Sequence, residues 1–218
     1  MKLYVVTAPH DRRGIYATWA ECQARIHGVS GAQFQAVGNR AEAEAALSGE
    51  GIRLSPGLYA FVDGNHLGGV GVVLVNQVGD GAAEVEEISV CVGEVFGGGH
   101  IACLPSAEAV ASALSRLRNV LAELGGLYLA LTRVAAGGIV TVVHDYEGVG
   151  AWLTGTWKAR EATVREIVAA CQGLISTKGL TVTFRHQSGH RSTVAGRNDF
   201  AFYNGVADAL ATSAQTSI

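Results

Sequence analysis

IVTVVHDYEGVGAWLTGTWKA, residues 139–159, joins two patterns of different period. Ile139 to Val143 is a continuous, largely β-branched apolar run, which predicts a buried-type strand. From Tyr146 onward the spacing turns helical, and two Trp and a Lys follow. Asp145 stands at the junction. An isolated carboxylate at a strand end, just before an aromatic-rich helix, needs partners from elsewhere in the chain.

Working outward, the second part of the chain supplies a sheet for that strand. LYAFVDGN opens a strand ending on Asp63, LGGVGVVLVNQ reads as a second, and AEVEEISVCVGEV as a third. Short Gly-rich connections predict an antiparallel meander. Ser106 to about Ala136 has one helical pattern, with Pro105 just before its start. After the 139–143 strand, helices are expected at roughly 146–157 and 161–176. LTVTFRH is a last strand, and about Tyr203 to Ala214 a last helix. The order βββ-α-β-α-α-β-α predicts α/β architecture, a mixed sheet with helices packed on it.

The N-terminal 47 residues read as a separate small α+β module. KLYVVT and IYAT make a hairpin-like pair, and AQFQAV is a third strand. TWAECQARIHG has helical spacing, capped by Thr18 with Glu21 as the reciprocal partner. NRAEAEAAL is a second helix capped by Asn39. Residues 48–57, rich in Gly, Ser and Pro, read as a linker. The expected domains are therefore 1–47 and 58–218.

Composition bounds the chemistry. The 218 residues are 49% apolar and 16% charged, with 29 Gly and a net charge of −3, so a core is affordable and the total charge demands no nucleic acid. A basic groove can still sit inside a neutral total. Cys22, Cys91, Cys103 and Cys171 lack CxxC spacing, which argues for reduced thiols and a cytoplasmic setting rather than zinc. The N-terminus has no signal- or transit-peptide pattern. No apolar run approaches the ~18 residues of a membrane span. Nothing requires more than a monomer.

Four acids of the second domain fall in apolar contexts: Asp63 and Asp145 at strand ends, Glu123 within RNVLAELGGLYLAL, and Asp208 within NGVADALA. Taken singly, each reads as a turn, cap or solvated helix residue. If the two strands are adjacent and parallel, Asp63 and Asp145 meet at one sheet edge. Clustered carboxylates repel unless cations neutralise them, and hard oxygen ligands suit Mg²⁺ or Mn²⁺. Spacing alone does not assemble the four.

Resemblance does. DYEGVGAWLTGTWKA resembles the DYEGI–W–G–WKA segment of bacterial type 1 ribonucleases H that carry an N-terminal hybrid-binding (caulimovirus viroplasmin-like) domain. FVDGN resembles that family's TDGS strand end, RNVLAE its RNVAGE helix, and YNGVADALA its N–AD–LA helix. YVV, GIYATWAEC and GAQFQAV resemble the hybrid-binding domain's YAV, GIY-TW-EC and GA-FK-F. The resemblance implies a ribonuclease H-like mixed five-stranded sheet flanked by helices, preceded by a small α+β hybrid-binding module. It implies an endonuclease that hydrolyses the RNA strand of RNA–DNA hybrids with two Mg²⁺ ions, Mn²⁺ being a substitute, and leaves 5′-phosphate and 3′-OH ends.

The implied ligands are Asp63, Glu123, Asp145 and Asp208. Asn119, four residues before Glu123 and on the same helix face, would contact the hybrid in the minor groove. A mobile histidine assists this family, and His186 is favoured for it over His190. The loop before the last helix departs from the family pattern and brings in Asp199 as a rival fourth ligand. In the first module Tyr4, Trp19 and Phe34 match the aromatic positions that stack on the hybrid. Residues 1–50 balance five Lys/Arg against five Asp/Glu, so weak binding is expected, carried by Arg12, Arg13, Arg25 and the aromatics. Lys158, with Arg160 and Arg165, would contact phosphates. Double-stranded RNA is a second expected partner of that module. The alternative reading is a non-catalytic hybrid or double-stranded RNA binder of the same fold, which would have no need of four acids near bound phosphates.

Overall fold

A computed structural model describes residues 2–48, 54–79, 83–97, 101, 104–187 and 199–214. The chain divides into two compact units, Met1–Arg53 and Leu54–Ile218.

In the first unit β1 (Leu3–Ala8) lies between β2 (Gly14–Tyr16) and β3 (Gln33–Val37), both antiparallel to it. Helix α1 (Trp19–Ile26) carries the expected capping box: Thr18 Oγ1 accepts from the Glu21 amide, and Glu21 accepts from the Thr18 amide. Helix α2 (Arg40–Ser48) begins where Asn39 Oδ1 accepts from the Glu42 amide at 2.9 Å. Alternation along β1 sends Leu3 and Val5 into a small core with Val37, Ala43 and Ala46.

The second unit is a five-stranded mixed sheet in the order β6-β5-β4-β7-β8. Strands β4 (Gly57–Gly64), β5 (Gly69–Gln77) and β6 (Glu84–Cys91) form the expected antiparallel meander. Strand β7 (Ile139–His144) pairs parallel to β4, and β8 (Thr181–His186) pairs parallel to β7. This is the helix-flanked mixed sheet that the resemblance implies. The place of β7 inside the sheet, between β4 and β8, explains why it is nearly continuous in apolar residues.

Helices α3 (Val92–Phe96), α4 (Ala107–Leu117), α5 (Asn119–Arg133), α6 (Gly148–Leu153), α7 (Ala162–Lys178) and α8 (Phe200–Ser213) flank the sheet. Several differ from the sequence reading, and the helix expected at roughly 146–157 is the shorter α6. The single helix expected over 106–136 is broken at Arg118, whose φ of 52° and ψ of −128° end α4 and open α5. Helix α3 fills a stretch read as strand and turn. Helix α8 starts three residues earlier than expected, because Asp199 caps it by accepting from the Phe202 amide at 2.8 Å.

Close backbone approach positions the carboxyl ends of the strands. Helix α5 presses on β4 so tightly that a Cβ on Gly64 would overlap the Glu123 amide nitrogen and lie 2.6 Å from Ala122 Cβ. Helix α8 rides on β5 in the same way, with Ala207 and Ala211 carbonyls filling the space above Gly71 and Gly69. Asn65 ties this seam: its Nδ2 donates to Ala211 O at 2.6 Å, and its Oδ1 accepts from the Leu67 and Gly69 amides. No helix of the described residues is long and apolar enough to cross a membrane.

Gly64→Ala is expected to destabilise the protein by about 2–3 kcal/mol or more through this overlap. Gly173→Ala, in α7 with nothing within 4 Å of the added Cβ, is expected to stabilise it by about 0.5–1 kcal/mol. Thermal melting of the two variants beside the wild type checks both signs.

Candidate active site

The parallel register pairs Val62 with His144, so the next residues, Asp63 and Asp145, leave the sheet side by side. Glu123 reaches the same place from the second turn of α5. These three offer one carboxylate oxygen each, all within 4.8 Å of one another. Asp63 and Glu123 are buried at 7% and 2% exposure, whereas Asp145 is half-buried. A buried glutamate in a helix that is otherwise Leu, Ala and Gly around its inner face is costly without compensation.

The electrostatics record that cost. Burial pushes Asp63 up to about 7, with Asp145 and Asp208 adding like-charge repulsion and the Gly64 N–H, 2.6 Å from Asp63 Oδ1, drawing it back. Burial, then the charges of Asp63 and Asp145, pushes Glu123 well above the ordinary carboxyl range. A side-chain hydrogen bond with Asp145 raises Glu123 further, and the Gly64 N–H draws it back. Its Oε2 is buried with no hydrogen-bond partner among the described residues. Three converging acids and an orphaned oxygen fit a hard divalent cation, which would neutralise the repulsion and take up the free oxygen.

The other expected residues fall at different distances from this trio. Asp208 lies on the exposed face of α8, close enough to raise Asp63 but outside the three-acid cluster. Asp199 is buried and its Oδ1 caps α8, nine residues or about 14 Å of helix before Asp208. Asn119 is exposed at the first position of α5, one turn before Glu123. Lys158 is exposed beyond α6, beside Trp157. His186, exposed at the end of β8, donates from Nε2 to the Asp145 carbonyl at 2.7 Å. His190 lies outside the described residues.

Sequence reasoning passed over His144. It is 2% exposed, its Nδ1 donates to Tyr146 O at 2.9 Å, and burial pushes it down to about 4, so it is neutral near pH 7. The signal was its place in an apolar run, directly before Asp145. Gly150 makes room for it: a Cβ there would come 2.9 Å from His144 Nε2.

The first unit carries its own aromatic surface. Tyr4, Trp19 and Phe34 form a chain of tilted rings with centroids 5.5 and 5.2 Å apart. Trp19 and Phe34 are each 40% exposed, while Tyr4 is half-buried beneath them. Arg12 pairs with Asp11 at 3.1 Å, and the Arg13 guanidinium donates to the Leu47 carbonyl. Arg25 is exposed in the last turn of α1.

Residues 2–47 match the family model described as the Ribonuclease H1 N-terminal domain, which bears out the resemblance of the first module. Among solved structures, the chain is similar to ribonuclease H1 from the halophilic archaeon Halobacterium salinarum NRC-1, at 20% identity over 72% of this chain and 96% of that one, with a TM-score of 0.43. It is similar to a ribonuclease H1 isolated from compost by a metagenomic approach, at 19% identity over 74% and 96%, with a TM-score of 0.49. It is also similar to the N-terminal ribonuclease H domain of a Mycobacterium tuberculosis protein, solved as a fusion with maltose-binding protein, at 17% identity over 73% and 98%, with a TM-score of 0.44.

The raised Asp63 carboxyl has a definite sign for stability. The folded state holds this proton more tightly than the unfolded chain, so stability falls as pH rises from the ordinary 3.8 to about 7 and then levels. Asp63→Asn keeps the acceptor for Gly64 and removes the charge. In EDTA at pH 8 the variant is expected to melt higher than the wild type, by at most about 4 kcal/mol of stability, with the gap closing by pH 4. Melting curves across pH check this; an equal or lower melting temperature at pH 8 would contradict the charge strain.

Proposed function

We propose that the chain is an endonuclease that hydrolyses the RNA strand of RNA–DNA hybrids, leaving 5′-phosphate and 3′-OH ends. The observation that carries this reading is the meeting of Asp63, Glu123 and Asp145 within 4.8 Å at the ends of two adjacent parallel strands. The match of residues 2–47 to a Ribonuclease H1 N-terminal domain supports it independently.

Asp63, Glu123, Asp145 and Asp208 would hold two divalent cations, Mg²⁺ with Mn²⁺ as a substitute. Such ions supply charge neutralisation at the scissile phosphate and activation of water for in-line displacement. Burial of Asp63 and Glu123 excludes bulk water from one side of the site and makes their charges count for more. Asp208, exposed on α8, would face the phosphate from the open side. Asn119, one turn from Glu123, would read the RNA 2′-OH through the minor groove, which distinguishes RNA from DNA. His186, beside the Asp145 carbonyl, is the histidine suited to move a proton or help release product. Lys158 would contact phosphate.

In the first unit, Trp19 and Phe34 would stack along the hybrid's minor groove, with Arg12, Arg13 and Arg25 on the phosphates. The neutral charge balance of that unit keeps its affinity low.

Cleavage of a labelled RNA–DNA hybrid in Mg²⁺, Mn²⁺ and EDTA tests the activity, with DNA and RNA duplexes as controls. Hybrid-specific, metal-dependent cleavage is expected, lowered about 1,000-fold in Asp145→Asn, equivalent to ~4 kcal/mol of transition-state stabilisation. Hybrid binding without cleavage in either metal would favour the non-catalytic binder. Trp19→Ala is expected to weaken hybrid binding about 10-fold, within the ~1–3 kcal/mol of one aromatic–base stack, and to leave the maximal rate on saturating hybrid unchanged. Titration by fluorescence anisotropy reads the first quantity.

A further inference from the structure

The strand ends at His144, yet the backbone beyond it is not left to solvent. Three successive carbonyls each accept a hydrogen bond. His144 O takes the Gln187 amide at 2.8 Å, which continues the β7–β8 ladder by one rung. Asp145 O takes His186 Nε2 at 2.7 Å. Tyr146 O takes His144 Nδ1 at 2.9 Å, together with the Val149 amide at 3.1 Å. A carbonyl only accepts, so each imidazole nitrogen at these contacts carries its proton.

The two histidines are paired in register across β7 and β8, their ring centroids 6.0 Å apart. The His144 ring has little room to turn. It is buried, the Phe184 ring stands edge-on at 6.2 Å, and Gly150 closes the Nε2 side. A neutral histidine of this kind is usually a packed core residue. Here its Nδ1 hydrogen bond spans Asp145 itself and fixes the turn on both flanks of that carboxylate.

We propose that His144 is a positioning residue for the metal site: by holding Tyr146 O while His186 holds Asp145 O, it sets the direction in which the Asp145 carboxylate leaves the sheet. This rests on the carboxylate reading above. It gives His144 no contact with substrate or cation. Partners that orient a ligand in this way typically change metal affinity by about 10–100-fold.

The test separates the Nδ1 donor from the bulk of the ring. His144→Asn keeps an amide N–H near the Nδ1 position, His144→Gln moves it to the Nε2 position, and His144→Leu removes it. Gly150→Ala keeps the ring and displaces it. Mn²⁺ binding to each folded variant is measured calorimetrically without nucleic acid, beside kcat and KM on the hybrid and the melting temperature. His144→Leu, His144→Gln and Gly150→Ala are expected to bind Mn²⁺ about 10-fold more weakly and to lose kcat with little change in KM, while His144→Asn recovers most of both. Nitrogen-15 shifts of the wild-type imidazoles are expected to show His144 protonated at Nδ1. Leu and Asn variants with equal Mn²⁺ affinity at matched melting temperature, or His144 protonated only at Nε2, would overturn the proposal. Asp145→Asn runs alongside. If it binds Mn²⁺ like the wild type, the carboxylate reading itself falls; if it alone loses binding, only the role of His144 does.

Discussion

The parallel pairing of β4 with β7 is the constraint on which the rest of the second unit depends. It places Val62 beside His144 and so delivers two carboxylates to one sheet edge. Everything around that edge answers the problem of crowding like charges in a poorly solvated place. The Gly64 amide is turned toward Asp63, burial and the neighbouring charges push Glu123 up, and one oxygen of Glu123 remains without a partner among the described residues. A chain selected for stability alone would replace such a group with an apolar one. Its retention is physically intelligible where a cation completes it.

The helices are fitted to the sheet by subtraction. Gly64, Gly69 and Gly71 have no side chain because α5 and α8 occupy the space a Cβ would take. Gly126 lets α5 lie against Val62, 3.2 Å from the Cβ it lacks. Glu123 thus reaches the strand ends from a helix otherwise committed to the core. The helix that bears Asp208 is anchored at both ends, by the Asp199 cap with Phe200 packed on Tyr59 and under the Arg185 guanidinium, and by Asn65 on Ala211.

Much of this was legible in the sequence, and the parts that were not have physical reasons. The meander, the buried parallel strand and the caps at Thr18 and Asn39 follow from period and local chemistry. The convergence of Asp63 with Asp145 needed only the condition that their strands be adjacent and parallel. Glu123 and Asp208 came through resemblance, because a single acid on a helix has no local pattern that distinguishes a buried ligand from a solvated residue. The break at Arg118 left no trace, since Arg116, Leu117 and Arg118 are good helix formers. Asp199 was read for its charge, whereas its spacing to Phe202 and the apolar run behind it describe a cap. His144 was hidden by its neighbour, the more conspicuous Asp145.

The seam between α8 and β5 has a consequence for how this site tolerates change. Contact there is made by main-chain carbonyls over glycine, so the height of the helix above the sheet is fixed by peptide dimensions and not by the size of interlocking side chains. The distance from Asp208 to the strand ends is a gauge cut into the backbone.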